Sequence, residues 1–118
     1  MQSLTGEYTF YMTSLFSKKV VAIAQAIPKG RVTTYGTIAY LAGGGKMASR
    51  SISSILGKAY DSGITNIPFH RVVYSGGRVW MSSDYYARRK KLYKEEGIEI
   101  DERGYVKDFW DLLWEGKE

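Results

Sequence analysis

The sequence contains no cysteine, a single histidine and only two prolines in 118 residues. Without a thiol there is no disulfide, no thiolate nucleophile and no metal site built on sulfur. His70 alone cannot supply the ligands of a structural zinc site, so no metal and no cofactor is expected. No apolar run approaches the roughly 20 residues needed to cross a bilayer. The start, Met1 to Phe16, lacks the basic end, the apolar segment and the small-residue cleavage site of a signal peptide. An intracellular protein without membrane attachment is expected. Hydrophobic content of 44% and charged content of 25% are ordinary for a folded chain of this size.

Acidic residues are scarce through the middle of the chain. Residues 29–94 hold twelve Lys or Arg against Asp61 and Asp84, a net +10, whereas residues 95–118 hold three basic and nine acidic residues, a net −6. So uneven a distribution reads as a polyanion-binding surface, with nucleic acid the first candidate. The alternative is a solvated, self-repelling face.

The order of elements follows from spacing and punctuation. Residues 1–16 carry aromatics without a clean period and read as an extended lead-in. Ser17 is placed to cap a helix in which Val20, Ile23, Ala24 and Ile27 recur at helical spacing, stopped by Pro28-Lys29-Gly30. Arg31-Val32-Thr33 suits a short strand. Thr34 can cap a helix over Tyr35 to Leu41, ended by Gly43-Gly44-Gly45, and a third helix from Met47 to Tyr60 follows with Ala48, Ile52, Ile55, Leu56 and Ala59 on one stripe. Two short helices joined by a glycine turn form a helix-turn-helix pattern. On the second of them Ser49, Arg50, Ser53, Ser54 and Lys58 lie opposite the stripe, small hydroxyls and cations that suit close approach to a phosphate backbone. Arg71 to Tyr74 and Arg78 to Met81 read as a hairpin closed by Ser75-Gly76-Gly77, the wing of a winged helix. Asp84 can cap a fourth helix, Tyr85 to Glu96, carrying Arg88, Arg89, Lys90, Lys91 and Lys94, with Gly97 as its C′ residue. The expected fold is mostly α with a small β-hairpin wing. It forms one domain over 1–118, a core over 17–100 and an acidic aromatic tail over 101–118 packed back on it.

One stretch concentrates the scarce residue types: Ile67-Pro68-Phe69-His70-Arg71-Val72-Val73. Proline fixes its own φ and restricts the preceding residue, so Phe69 and His70 are presented from a rigid bend. Either they are core residues, or they belong to a site.

Taken with Ile27-Pro28-Lys29-Gly30-Arg31-Val32-Thr33-Thr34-Tyr35-Gly36-Thr37-Ile38-Ala39, Arg50, and Glu95-Glu96-Gly97-Ile98 in that order, this stretch resembles the DNA-binding domain of the 6-O-alkylguanine-DNA alkyltransferases. The resemblance covers about residues 17–100 and is carried chiefly by Pro-Cys-His-Arg followed by two aliphatics. Phe69 stands at the cysteine that accepts the alkyl group in the active enzymes, so the chain resembles the alkyltransferase-like members, whose usual replacement is tryptophan. A phenyl ring is no nucleophile, and no alkyl transfer to this residue is expected.

The resemblance implies a lesion pocket of Phe69, Tyr35, His70, Ser82 and Ser83, with Phe69 as its wall and the two serines on a closing loop. Tyr35 matches the tyrosine that crowds the target phosphate, and Arg50 the arginine that fills the gap left by a flipped nucleotide. Ser49, Ser51, Ser53 and Lys58 would contact DNA beside it. His70 and Glu96 match the relay that activates the cysteine in the enzymes, and Arg71 the arginine that holds the pocket loop; here the three are structural. The implied protein is a monomeric, non-enzymatic sensor of duplex DNA carrying alkylated guanine. It would flag the damage for nucleotide excision repair, in the cytoplasm at the nucleoid or in a nucleus. Two other readings compete: a winged-helix transcription regulator without lesion preference, which needs base-reading Arg, Asn or Gln on the third helix, and a hydrolase using water activated by His70 and Glu96.

Overall fold

The computed structural model describes residues 4–45, 48–81 and 83–117, and the side chains of 15–45, 48–81 and 84–117. In chain order the elements are helix α1 (Leu4–Gln25), strand β1 (Thr33–Thr34), helix α2 (Tyr35–Leu41), helix α3 (Ser49–Asp61), strand β2 (Val72–Val73), helix α4 (Ser83–Glu95) and the short helix α5 (Phe109–Leu112). Two 3₁₀ turns, Phe69–Arg71 and Ser75–Gly77, flank β2.

Helix α1 begins at Leu4, which corrects both the extended lead-in and the cap at Ser17. A helix needs no clean apolar period to form. Among the described side chains of α1, Val20 and Ala24 are buried, and Ile27 just beyond its end is buried with them. Thr34 caps α2, its hydroxyl accepting from the Thr37 amide at 3.0 Å, an exchange that satisfies one of the free donors of a first helical turn. The end of α2 is closed by Gly44, whose N–H donates to Ala39 at 2.8 Å, while Gly43 takes φ +90°. Helix α3 buries Ile52 and Leu56, with Ala48, Ile55 and Ala59 packed around them. Met47, the expected first residue of that helix, lies outside the described residues. In α4 the acid Asp84 sits inside the first turn instead of capping it.

The expected hairpin is replaced by other pairings. Strand β2 pairs in parallel with β1, Thr33 opposite Val72 and Thr34 opposite Val73. The Ser75–Gly77 turn is closed by two bonds, from the Tyr74 amide to the Arg78 carbonyl at 2.8 Å and from the Gly77 amide to the Tyr74 carbonyl at 2.9 Å. Beyond it the chain turns to the C-terminal segment: Arg78 bridges to Tyr105, and Val79 N–H donates to Gly104 at 2.8 Å. Ser-Gly-Gly marks a turn in sequence, but the partner of the strand after it depends on contacts far along the chain.

Successive residues of a strand face opposite sides, and β2 uses both. Val72 belongs to a core with Val20, Ala24, Ile27, Ile38, Ile52, Leu56 and Trp114. Val73 belongs to a second core with Val32, Val79, Tyr93, Ile98, Val106 and Phe109. The C-terminal segment closes both. Val32 N–H donates to Leu112, Trp114 N–H donates to Val32, and the buried Thr33 hydroxyl donates to the Trp114 carbonyl at 2.8 Å. Gly77 shows why that contact needs glycine. Its φ is +97°, and a Cβ there would lie 2.8 Å from the Phe109 ring. Among the described residues no helix is long and apolar enough to cross a membrane.

Candidate nucleic-acid interface

The α2–α3 pair opens a cleft of about 470 Å³ lined by Thr34, Tyr35, Gly36, Ser49, Arg50, Ser53, Tyr74 and Ser75. Tyr35, at the first turn of α2, and Arg50, at the first turn of α3, are thus brought to one surface. Arg50 is exposed. Tyr35 is half-buried against the Tyr74 ring, centroids 5.4 Å apart. Burial and the neighbouring Tyr74 push its phenol above the ordinary tyrosine range, with Arg89 opposing. Its hydroxyl therefore stays protonated and can donate to a phosphate oxygen. Ser51, Ser54 and Lys58 are exposed on α3 outside the cleft lining. The face is small and hydroxylated, suited to phosphate contact and poor in the side chains that read base edges.

Phe69, His70 and Arg71 form the turn that follows Pro68. Pro68 has φ −81° and ψ 74°, and the Phe69 N–H donates to Ile67 across it at 2.9 Å, an inverse γ-turn. Phe69 is half-buried, packed on the first core, and meets the Tyr60 ring edge-on at 5.8 Å. It does not line the α2–α3 cleft. Ser82 lies outside the described residues; Ser83 begins α4, and its side chain is likewise outside them.

Behind this turn Glu96 gathers three donors from distant segments. Its carboxylate accepts from the Gly30 amide at 2.9 Å, from Arg71 Nε at 3.0 and 3.2 Å and Nη2 at 2.8 Å, and lies 2.6 Å from His70 Nε2. Arg71 also donates from Nη1 to the Ile27 carbonyl at 2.9 Å. Burial of the carboxyl, whose side chain is 4% exposed, raises its pKa, but the bonds from Arg71, Gly30 and His70 outweigh that and hold it at about 2. Burial lowers the pKa of His70, and the bond to Glu96 opposes without overcoming it, so the imidazole is neutral at pH 7. A carboxylate held near 2 and saturated by an arginine is a poor general base. The cluster ties the end of α1, the Gly30 turn, the Phe69 turn and the end of α4 into one frame.

One buried charge escapes the sequence reading. Arg89, within the basic run of α4, is 7% exposed. Its Nη1 lies 3.4 Å from the Phe69 carbonyl and its guanidinium 5.0 Å from the Trp80 ring centre. The signal was available: Tyr86, Arg89 and Tyr93 follow at i, i+3 and i+7, one face of a helix, while Arg88, Lys90, Lys91 and Lys94 are exposed on the others.

Fold and surface together define a helix-turn-helix module with a basic, hydroxyl-bearing duplex-binding face. Residues 15–98 match the family described as 6-O-methylguanine DNA methyltransferase, DNA binding domain, and the chain belongs to that family. It is 34% identical over 91 residues to a DNA base-flipping protein of Vibrio parahaemolyticus, covering 77% of this chain and 88% of the relative. It is 35% identical over 91 residues to a DNA base-flipping protein of Escherichia coli K12, covering 77% of this chain and 68% of that one. Among solved structures it is similar to S. pombe Atl1 in complex with damaged DNA containing O6-carboxymethylguanine, with TM-score 0.66, 29% identity, and 84% and 94% of the two chains covered. A second structure, S. pombe ATL in complex with DNA, matches at the same TM-score with 28% identity.

Proposed function

We propose that this chain is a non-enzymatic sensor of alkylated guanine in duplex DNA, which turns the damaged base out of the helix and holds it without chemistry. The observation that carries the reading is the pairing of exposed Arg50 with half-buried Tyr35 across one cleft at the base of the α2–α3 corner. Arg50 enters the duplex and occupies the space of the departing base, while Tyr35 meets the phosphate of the same nucleotide. Flipping a base costs a few kcal/mol, least where pairing is already weakened by damage, so an alkylated guanine is selected before any contact to the alkyl group is made. The homology to proteins named for base flipping and to a protein solved with damaged DNA supports the same reading.

The flipped base is received against Phe69, with Ser82 and Ser83 on the loop that closes over it and Ser49, Ser51, Ser53 and Lys58 along the adjoining phosphates. No residue of the sequence can accept the alkyl group as a thiolate, because there is no cysteine, and the His70–Glu96–Arg71 cluster holds the pocket in shape. The protein acts as a monomer and passes the marked site to nucleotide excision repair; that hand-over rests on the family resemblance.

A duplex carrying 6-O-methylguanine beside 2-aminopurine tests the reading. Binding should raise the 2-aminopurine fluorescence as its neighbour unstacks, and Arg50→Ala should abolish the rise while leaving residual binding. An unchanged signal on saturated wild-type complex would refute base flipping.

A further inference from the structure

Helix α4 concentrates like charge on its solvent face. Tyr86, Arg89 and Tyr93 point inward, whereas Arg88, Lys90, Lys91 and Lys94 are exposed. Lys90 leans over the Tyr86 ring, its Nζ 5.7 Å from the centre. Arg88, Lys91 and Lys94 follow at i, i+3 and i+6 and form a row on the outer side of the helix. Like charges three or four residues apart destabilise a helix. Here Arg88–Lys91, Lys91–Lys94 and Lys90–Lys94 are all such pairs. The acids that could relieve them stand at the two ends, Asp84 four residues before Arg88 and Glu95 four after Lys91. Both are exposed, and among the described residues none of the four cations forms an ion pair. Within the fold the row is only a cost; an external polyanion would turn it into binding.

The place of the row in the molecule points to one polyanion. Helix α4 runs beside the α2–α3 cleft. Arg89, on its inward face, reaches toward the Phe69 carbonyl at 3.4 Å and lies near enough to Tyr35 for its charge to oppose the rise in that phenol's pKa. A helix with its side chains is about 10–12 Å across, so the row lies roughly one helix width beyond Arg89. A duplex seated in the cleft rises about 3.4 Å per base pair and covers that distance within about half a turn. An acidic protein would meet the same charges, but the closeness of the row to the cleft favours the duplex already there.

We propose that Arg88, Lys91 and Lys94 hold the phosphate backbone of the bound duplex about half a turn from the target nucleotide, a second grip that takes no part in choosing the base. The proposal rests on the sensor reading for the seat of the duplex in the α2–α3 cleft. Phosphate contacts fix position and carry no base information. The row therefore strengthens binding to damaged and undamaged DNA alike, while Arg50 and Tyr35 act at the target.

The test replaces phosphates, a few at a time, by neutral methylphosphonates along both strands of duplexes carrying guanine or 6-O-methylguanine. Each duplex is titrated with wild type and with the triple variant Arg88→Gln, Lys91→Gln, Lys94→Gln. These substitutions sit on an exposed face and keep good helix formers, so the variant should unfold in urea at or above the wild-type midpoint. Wild type should lose affinity in two windows, one at the target nucleotide and one about half a turn away. The variant should keep the first window and lose the second, with its preference for 6-O-methylguanine unchanged. Its salt slope should be shallower by about 2–3, near one for each phosphate released. Both windows persisting in the variant, a uniform loss across all duplexes, or a variant less stable than wild type overturns the proposal. Unchanged duplex binding by the variant, the outcome if the row serves an acidic protein or a second duplex, overturns it as well. The sensor reading fails separately, by equal wild-type affinity for guanine and 6-O-methylguanine, because the outer window is read on undamaged duplex too.

Discussion

Replacing Glu96 by Gln removes one charge and keeps the shape, so it isolates what the carboxylate contributes to the frame behind Phe69. The Glu96 side chain is 4% exposed and accepts from Gly30, Arg71 and His70. Its pKa is held at about 2, against an ordinary 4.5. That difference corresponds to about 3 kcal/mol of folding free energy, in line with the roughly 3–5 kcal/mol lost when one partner of a buried ion pair is removed. A domain of this size has about 5–15 kcal/mol in all. Urea unfolding followed by tryptophan fluorescence at pH 7 should therefore show Glu96→Gln less stable by about 3 kcal/mol. The pH dependence has a fixed sign. Below 4.5 the unfolded chain binds a proton that the folded carboxylate refuses, so wild-type stability falls as pH drops from 4.5 toward 2, and the gap to the Gln variant narrows with it. His70 acts in the same direction at higher pH. Its folded pKa lies below 6.5, so acidification through that value favours the unfolded chain in the wild type. A gap at pH 7 under about 1 kcal/mol, no more than an exposed pair contributes, or a gap that does not narrow in acid, would refute the role given to the Glu96 carboxylate.

Gly77→Ala meets both a left-handed backbone and the Phe109 ring; a loss of about 2 kcal/mol is expected in the same unfolding assay. Phe109→Ala opens the second core beneath α5, with an expected loss of about 3–5 kcal/mol; a change under 1 kcal/mol would mean the C-terminal segment is only laid on the surface. Arg50→Ala should reduce binding to alkylated duplex more than Lys90→Ala does in a fluorescence titration, and equal losses would make Arg50 one more surface cation. Affinity for any duplex should fall steeply with added salt, because each neutralised phosphate releases counterions, and a flat response would contradict the role given to the basic middle of the chain.

Local grammar carried much of the fold. Thr34 caps α2, the Ile52–Leu56 stripe is the buried side of α3, and Gly97 takes φ +72° after α4, each dictated by residues within a turn or two. What depends on distant partners was not legible. Thr33 and Val72 pair in parallel, and Trp114 returns to the Val32 backbone; no spacing in the sequence marks either. The charge run on α4 hid Arg89 because five closely spaced cations, Arg89 among them, look like one solvated face, although the tyrosines at helical spacing on either side mark the inward one. For the site, the rarity of His70 and Pro68 marks a turn that the fold brings against Glu96. That His70, Glu96 and Arg71 are structural was already implied by the resemblance; the saturation of Glu96 by Arg71 and Gly30, which makes it a poor base, depends on segments far apart in the chain.

The central claim is recognition of alkylated guanine without reaction. Equilibrium titration of matched duplexes carrying guanine or methyl-labelled 6-O-methylguanine, with recovery of the label after saturation, measures both halves together. The methylated duplex should bind more tightly, with all of the label still on the DNA. Equal affinity for the two duplexes, or label transferred to the protein or lost to solvent, would contradict it.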